Sequence, residues 1–369
     1  PNPGVRPGHP AVAAAGRAGV AVRGEVELAW QAAGGRTVVA VTGTNGKTTV
    51  CTLVAAMLAA GGRRAVAAGN IGPPLIDAVA GDAEVLVVEV SSFQLYWTHA
   101  FRPDVAVWLN LAEDHLDWHP DMDHYAAAKS RIWANQRAGD VAVVNAEDGA
   151  VMRAAEGAAS RPVTFGLERG EYHLADGWLR GPEGDLLAVA DLARRQPHDV
   201  ANGLAAVAAA RAAGVPVEHC AAALSTFAGL PHRVQLVGRD GTVSFYDDSK
   251  ATTPASVLAA LAGFPSAVLI AGGRNKGLDL SVLRSGADHV RAVVAIGESA
   301  PEVAAAFAGA VPVETAPSMA AAVSAARRAA HEGDAVLLSP GCASYDWYRS
   351  YVERGDHFSA CVRALAGRR

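Results

Sequence analysis

The chain has 369 residues, of which 51% are hydrophobic and 19% charged, with a formal net charge of -5. That length suffices for two or three domains, and the composition is that of a globular protein and excludes a disordered one. The negative balance argues against a nucleic-acid partner, and no run of 18 apolar residues offers a membrane span. Cys51, Cys220, Cys342 and Cys361 form no C-x-x-C pair. Zinc and thioredoxin-like chemistry are therefore unsupported, and the scatter suits reduced thiols in a cytoplasm. The opening "PNPGVRPGHP" is polar and Pro-rich, unlike a secretory signal.

In chain order, short β-branched runs alternate with Ala-rich helical runs. "TVVAVTG" (37–43) is the first predicted strand. After "TNGKTT" comes a helix whose apolar residues Val50, Leu53, Val54, Met57 and Leu58 follow the i, i+3, i+4, i+7, i+8 spacing of one buried stripe. Gly61 and Gly62 stop it. Strands are predicted at 84–90, 105–111 and 141–146. The stretch 147–195, with "LADGWLRGPEGDLLAVA", reads as a small antiparallel insertion, and "DVANGLAAVAAARAAG" as the helix closing this half. A domain boundary falls in "GLPHR" (229–233). A second strand series starts near Gln235, with runs at 243–248, 267–273, 292–297 and 335–341. Continuous apolar strands separated by helices imply parallel sheets covered on both faces, an α/β architecture.

"VTGTNGKTT" carries the first chemistry. The usual phosphate-loop spacing G-x-x-x-x-G-K-[ST] would put a glycine at Val41; here the glycines are Gly43 and Gly46, with Thr44 and Asn45 between them. The physics is nevertheless that of a phosphate site. Unpaired N–H groups and the positive dipole end of a helix lie where the strand turns. Lys47 supplies a charge for the β/γ-phosphates, and Thr48 a hydroxyl for Mg²⁺. A lysine in the first helical turn opposes the dipole, so an ordinary strand–turn–helix leaves it unexplained.

Two other residues have two readings each, and a third has one. Glu89 ends a buried strand, where open α/β sheets place ligands; it is either a Mg²⁺ ligand or a solvated strand-end carboxylate. His115 in "EDHLD" is a second metal ligand or a polar residue at a helix start. Lys129 follows "DHYAAA", a context in which a helical lysine is ordinarily on the surface.

"GTNGKTT" resembles the ATP-binding loop of the Mur ligase family, ATP-dependent amide-bond-forming ligases that include folylpolyglutamate synthases. The segments "GNIGPPL" (69–75), "VVEVSSFQL" (87–95), "NLAEDHLDWH" (110–119), "YAAAKSRIW" (125–133), "GLPHRVQ" (229–235), "YDDSKATTP" (246–254), "GGRNKGLDLS" (272–281) and "LLSPGCASYDWYRSYVERGDHF" (337–358) match the family in type and order. They are most similar to the branch that adds D-glutamate to UDP-N-acetylmuramoyl-L-alanine, with "SSFQL" and "SPGCASYD" favouring it over other Mur ligases and folylpolyglutamate synthases. The resemblance implies a central P-loop-type ATPase domain with a mostly parallel sheet (37–230) and a Rossmann-like C-terminal domain (231–369). Residues 1–36 resemble the tail of a UDP-sugar domain, so the chain is expected to be part of a longer product and, by itself, poorly active. A nucleotide-binding module without ligase activity is the rival from another class.

The resemblance also implies roles. Gly43, Thr44, Asn45, Gly46, Lys47, Thr48 and Thr49 hold ATP, with Asn202 near adenine and Arg233 and Asp248 toward phosphates and ribose. Asn70, Ser91, Gln94, Lys250, Thr252, Ser344 and Tyr351 are substrate positions, although Tyr351 also suits a core. Lys47, Lys129, His115 and Lys276 are catalytic positions; as a plain lysine in a Gly-rich turn, Lys276 would be solvated. Thr48, Glu89, His115 and Lys129 surround Mg²⁺, with two ions expected and Lys129 carbamylated by CO₂. Asp199 stands where relatives commonly have Asn, and an ionised Asp cannot donate. The implied enzyme is a cytoplasmic monomer.

Overall fold

The computed structural model describes residues 1–366, which fall into two compact units, Pro1–Arg195 with Asp199–Ala228, and Gln196–His198 with Gly229 onward. In the first, α1 (Pro10–Arg17) and α2 (Glu25–Gln31) precede β1 (Thr37–Thr42), α3 (Lys47–Ala60), β2 (Ala65–Gly69), α4 (Leu75–Val79) and β3 (Val85–Glu89). Then come α5 (Ser92–Tyr96), β4 (Val105–Trp108), α6 (Met122–Ser130), β5 (Val141–Asn145), α7 (Gly149–Ala155) and β6 (Arg161–Phe165). A three-stranded antiparallel sheet follows, β7 (His173–Ala175), β8 (Trp178–Gly181) and β9 (Gly184–Ala188). Helices α8 (Pro197–Ala212) and α9 (Val217–Thr226) come next.

The main sheet runs β2-β3-β1-β4-β5-β6, all parallel. Its alternation explains the continuous apolar strands: Val39 and Val41 of β1 enter one core with Val50, Leu53, Val54, Met57 and Leu58 of α3, while Val38 and Ala40 enter the opposite core. Because β1 lies between β3 and β4, connections leave in opposite directions there. A crevice opens at the strands' carboxyl ends, the place for a ligand in such sheets. The insertion predicted over 147–195 is smaller than expected. Residues 149–155 are helical and 161–165 form the edge strand of the main sheet, so only 173–188 are antiparallel.

The second unit comprises β10 (Gln235–Asp240), β11 (Val243–Asp247), α10 (Pro254–Leu261), β12 (Ala267–Gly272), β13 (Val290–Ile296), α11 (Ala300–Phe307), β14 (Val313–Thr315), α12 (Met319–Ala329), β15 (Ala335–Leu338) and α13 (Tyr351–Ala366). Its sheet order is β10-β11-β15-β12-β13-β14, with only β10 antiparallel. Again two cores cover the faces, and β15 lies between β11 and β12, which creates a second crevice at the carboxyl ends.

One tether fixes the N-terminal segment on the first unit. The buried Glu27 carboxylate accepts N–H bonds from His99, Ala100 and Phe101 at 2.9–3.1 Å. Burial pushes this carboxyl up, but these donors outweigh it and hold it below the usual range. Gly24 N–H donates to Trp97 O, and Trp30 Nε1 to Arg102 O. Among the described residues no helix is long and apolar enough to cross a membrane.

Candidate functional site

The loop after β1 is shaped from beneath by Asn110, just past β4. Its Oδ1 accepts the N–H groups of Thr44 (3.0 Å) and Asn45 (2.9 Å), and its Nδ2 donates to Asn45 O. Thr44 Oγ1 meets Tyr125 Oη at 3.2 Å and Ala112 N–H at 3.0 Å. Gly46 has φ +87°, and a Cβ there would collide with Asn202 Oδ1, so only glycine lets α3 start against this residue. Lys47 opens α3 and folds back, donating to Gly43 O (2.8 Å) and Thr44 O (2.9 Å). Thr48 and Thr49 complete the first turn, Thr49 buried.

Lys129 is the structure's sharpest departure from residue-level expectation. It is 1% exposed, and its Nζ donates to the same Gly43 carbonyl at 2.8 Å while lying 4.6 Å above the Tyr125 ring. The surface reading fails because Lys129 lies on the face of α6 that packs inward with Tyr125 and Ala128. Burial pushes the Lys129 amine well below the ordinary lysine range, and the nearby Lys47 ammonium pushes the same way. Asp114 and Glu89 oppose this more weakly.

Glu89 ends β3 beside Val41 of β1 and is 3% exposed. Asn70 pins it, donating its side-chain N–H to Oε1 at 2.8 Å and its backbone N–H to the Glu89 carbonyl. The other oxygen, Oε2, is buried without a hydrogen-bond partner. An orphaned carboxylate oxygen at the mouth of a phosphate loop is the donor a hard cation requires, so the residues present fit Mg²⁺. Among the described residues no group of three or more His, Cys, Asp or Glu is arranged to hold a metal. Mg²⁺ bound by one or two carboxylates plus hydroxyl and phosphate oxygens needs none.

Ser91 and Gln94 have a local duty. Ser91 Oγ accepts the Gln94 N–H, and Gln94 Oε1 accepts the Ser91 N–H, a reciprocal cap on α5. His115 has φ +58°, an uncommon backbone for a non-glycine residue, and its Nε2 lies 3.3 Å from Asp114 Oδ2. The Phe93 ring sits 4.6 Å from its imidazole. Asp199 is paired with Arg194 at 2.9 Å. Asn110 and Tyr125 were missed as singled-out residues. Their signal was position, just past the end of β4 and one helical turn before Lys129.

In the second unit Asp248 follows β11, its Oδ2 accepting from Ser339 Oγ at 2.7 Å and Oδ1 from Val234 N–H at 3.3 Å. Desolvation raises its carboxyl to about 7, with the Ser339 bond, Val234 and then Arg233 pulling the other way. Lys250 Nζ lies 3.8 Å over the Tyr351 ring, so Tyr351 is a platform as well as a helix-initial residue of α13. Thr252 is half-buried in the turn before α10. Lys276 is exposed on the turn after β12, which pairs through Arg274 and Ala343 with the loop holding the buried Ser344. His232 and Asp247 join at 2.7 Å, and the Arg354 guanidinium is buried and donates to Ser249 and Cys342 O. Burial lowers that guanidinium to about 10.

Residues 41–210 match the Mur ligase middle domain, and 232–342 the Mur ligase, glutamate ligase domain. The UDP-N-acetylmuramoylalanine–D-glutamate ligase of Frankia casuarinae is 48% identical over 99% of this chain and 80% of its own length. The Thermobifida fusca enzyme of the same name is 44% identical over 99% and 84%. In fold, the chain is similar to the MurF ligase of Thermotoga maritima in complex with ADP (TM-score 0.74, 20% identity, 93% of this chain and 84% of that one). It is also similar to E. coli FolC in complex with DHPP and ADP (TM-score 0.66, 20% identity, 94% of each). The chain belongs to the Mur ligase family, a class of ATP-dependent ligases. Its chemistry is amide-bond formation with ATP in the synthesis of peptidoglycan precursors.

Proposed function

We propose that this chain joins D-glutamate to UDP-N-acetylmuramoyl-L-alanine, releasing ADP and phosphate. The single observation that carries the mechanism is the convergence of two lysine amines on the Gly43 carbonyl, beside a buried acid with one unpaired oxygen. Such a site is built for anions and a divalent ion. The D-glutamate assignment is supported by the names of relatives 44–48% identical over nearly the whole chain.

In this reading, the loop amides from Gly43 to Thr49 cradle the phosphates of ATP and Lys47 swings from its carbonyls to the β/γ-phosphates. Asn202 is assigned to the adenine side. Thr48, Glu89, His115 and a carbamate on Lys129 would hold Mg²⁺, as two ions. When bound, Mg²⁺ supplies charge neutralisation for the transferring phosphoryl group. The substrate carboxylate attacks the γ-phosphorus, giving an acyl phosphate and ADP; the D-glutamate amine then attacks the acyl carbon and phosphate leaves. Asn70, Ser91 and Gln94 are assigned to the UDP-sugar peptide. In the second unit, Arg233 and Asp248 are assigned to the nucleotide, and Lys250, Thr252, Lys276, Ser344 and Tyr351 to the amino acid.

The lowered pKa of the buried Lys129 amine supports the carbamate. A neutral Lys129 nitrogen can add to CO₂ and lose one proton, replacing a disfavoured buried cation by an anion next to Lys47. The proposed domains are 37–230 and 231–369, and the proposed setting is a cytoplasmic monomer, in keeping with four unpaired cysteines. ADP release, measured with UDP-N-acetylmuramoyl-L-alanine and each candidate amino acid in turn, tests the reading. D-glutamate should be the strongly preferred acceptor, and equal rates with L-lysine or meso-diaminopimelate would refute it.

A further inference from the structure

Next to Lys129 lies an aromatic and histidine cluster that the mechanism above does not use. His119 is fully buried. Its Nε2 lies 3.0 Å from Ser92 Oγ, and its Nδ1 lies 2.8 Å from His124 Nδ1. Ser92 is the first residue of α5, three positions after Glu89. His124 sits in the first turn of α6, whose last turn carries Lys129. The Phe93 ring stacks on His119 at 5.7 Å and 12° and meets His115 at 4.6 Å on its other contacts. Trp118 and Tyr125 close the cluster at 4.5 and 5.0 Å from the His119 ring.

We infer that His119 is a positioning residue which, through Ser92, His124 and Phe93, sets α5 against α6 and thereby places Glu89, His115 and Lys129 for the reaction. The inference rests on the function proposed above.

The chemistry of the chain of contacts is restrictive. Two Nδ1 atoms at hydrogen-bond distance hold one proton between them, so one imidazole donates and the other accepts. If His119 donates through Nδ1, its Nε2 accepts the Ser92 hydroxyl proton. If His124 donates, His119 donates to Ser92 through Nε2. Either direction satisfies every buried polar atom of the chain, whereas two N–H groups facing each other satisfy neither. The neutral imidazole is therefore the working form. Burial first, then His124, His115 and Lys129, lower it to about 4, with Asp117 opposing. A phenyl ring in its place would keep the stacking on Phe93 but cut both hydrogen bonds, freeing the two helices to shift. A displacement of about 1 Å in a reacting constellation can cost on the order of a hundredfold in rate.

The test uses the full chain, with His119→Phe, Ser92→Ala and His119→Gln, whose amide can donate and accept. We expect kcat to fall about ten- to hundredfold in His119→Phe, less in Ser92→Ala, with KM for ATP within about twofold of wild type. His119→Gln should recover most of the loss. A scalar coupling between the two Nδ1 nuclei should be visible in ¹⁵N-histidine-labelled wild type. Should His119→Phe fail to fold, Ser92→Ala decides. Unchanged kcat in Ser92→Ala and His119→Phe, or no Nδ1–Nδ1 coupling, overturns the inference. Absence of D-glutamate-dependent ADP release in wild type overturns the functional reading instead, and the coupling still judges the positioning role.

Discussion

Gly43 O accepts bonds from both Lys47 and Lys129, and this shared carbonyl makes separate predictions for the two lysines. Lys47→Ala leaves the loop amides but removes the cation for the β/γ-phosphates. Calorimetry with a non-hydrolysable ATP analogue should show affinity lost by tenfold or more, about 1.4 kcal/mol at least; unchanged affinity would refute the loop assignment. Lys129 has its folded-state pKa depressed, so its proton is held more weakly in the native protein than in the unfolded chain. That penalty is full at pH values below the folded pKa and fades as pH rises toward the unfolded value of about 10.4. In CO₂-depleted buffer at pH 7, Lys129→Met should therefore raise Tm while abolishing ligase activity. Lys129→Ala should be partly rescued by short carboxylates standing in for the carbamate oxygens. A lower Tm together with wild-type turnover would return this lysine to an ordinary structural role. The lysine's chemistry could be named from resemblance, but its burial could not be read from "DHYAAAKS", because three alanines reveal no face. Glu89 had two readings in the sequence, and its burial at the end of four apolar strand residues removes the solvated one.

In the first unit, strands in mid-sheet were readable and edge strands were not. β1, β3, β4 and β5 are β-branched runs buried on both faces, whereas β2 is "AVAAG" and β6 is "RPVTF", with a proline and exposed ends that an edge tolerates. The glycine before Asn70 shows why a motif can outrank propensity. Gly69 has φ +98°, and a Cβ there would lie 2.5 Å from the Glu89 carbonyl oxygen, so a side chain would push β2 off β3. Between β11 and β15, Asp248 and Ser339 join the strand ends. Desolvation makes Asp248 bind its proton more tightly in the folded protein, at about 7 against 3.8. The stability this group contributes is fully present below about pH 4 and is lost as pH rises through 7. Asp248→Asn should flatten the ligand-free protein's denaturant stability between pH 5 and 8. A slope identical to wild type would show that the carboxyl titrates as if solvated.

Each unit has its own sheet and a core on either face, so ligand effects can be read unit by unit. A saturating ATP analogue should stabilise the first unit by about 2.7 kcal/mol at a hundred times its Kd. Hydrogen exchange should show this as slowed opening of β1, β3 and α3, and equal protection of β13 and α11 would contradict that localisation. The two-sheet plan was visible in the spacing of apolar runs. The order of strands was not, because periodicity reports which faces are buried and says nothing of which neighbour a strand chooses.

The three amides gathered by Glu27 make the stretch from Gly24 to Gln31 travel with the main sheet as one mechanical body. Any swing of the first residues must then pivot upstream, where Gly19 has a left-handed φ of +66° and Val20 is 60% exposed. Glu27→Gln would slacken this anchor and lengthen the lever arm. Proteolytic nicking should then spread from the 18–23 segment of wild type to the bonds around Glu27, while the sheet itself stays resistant.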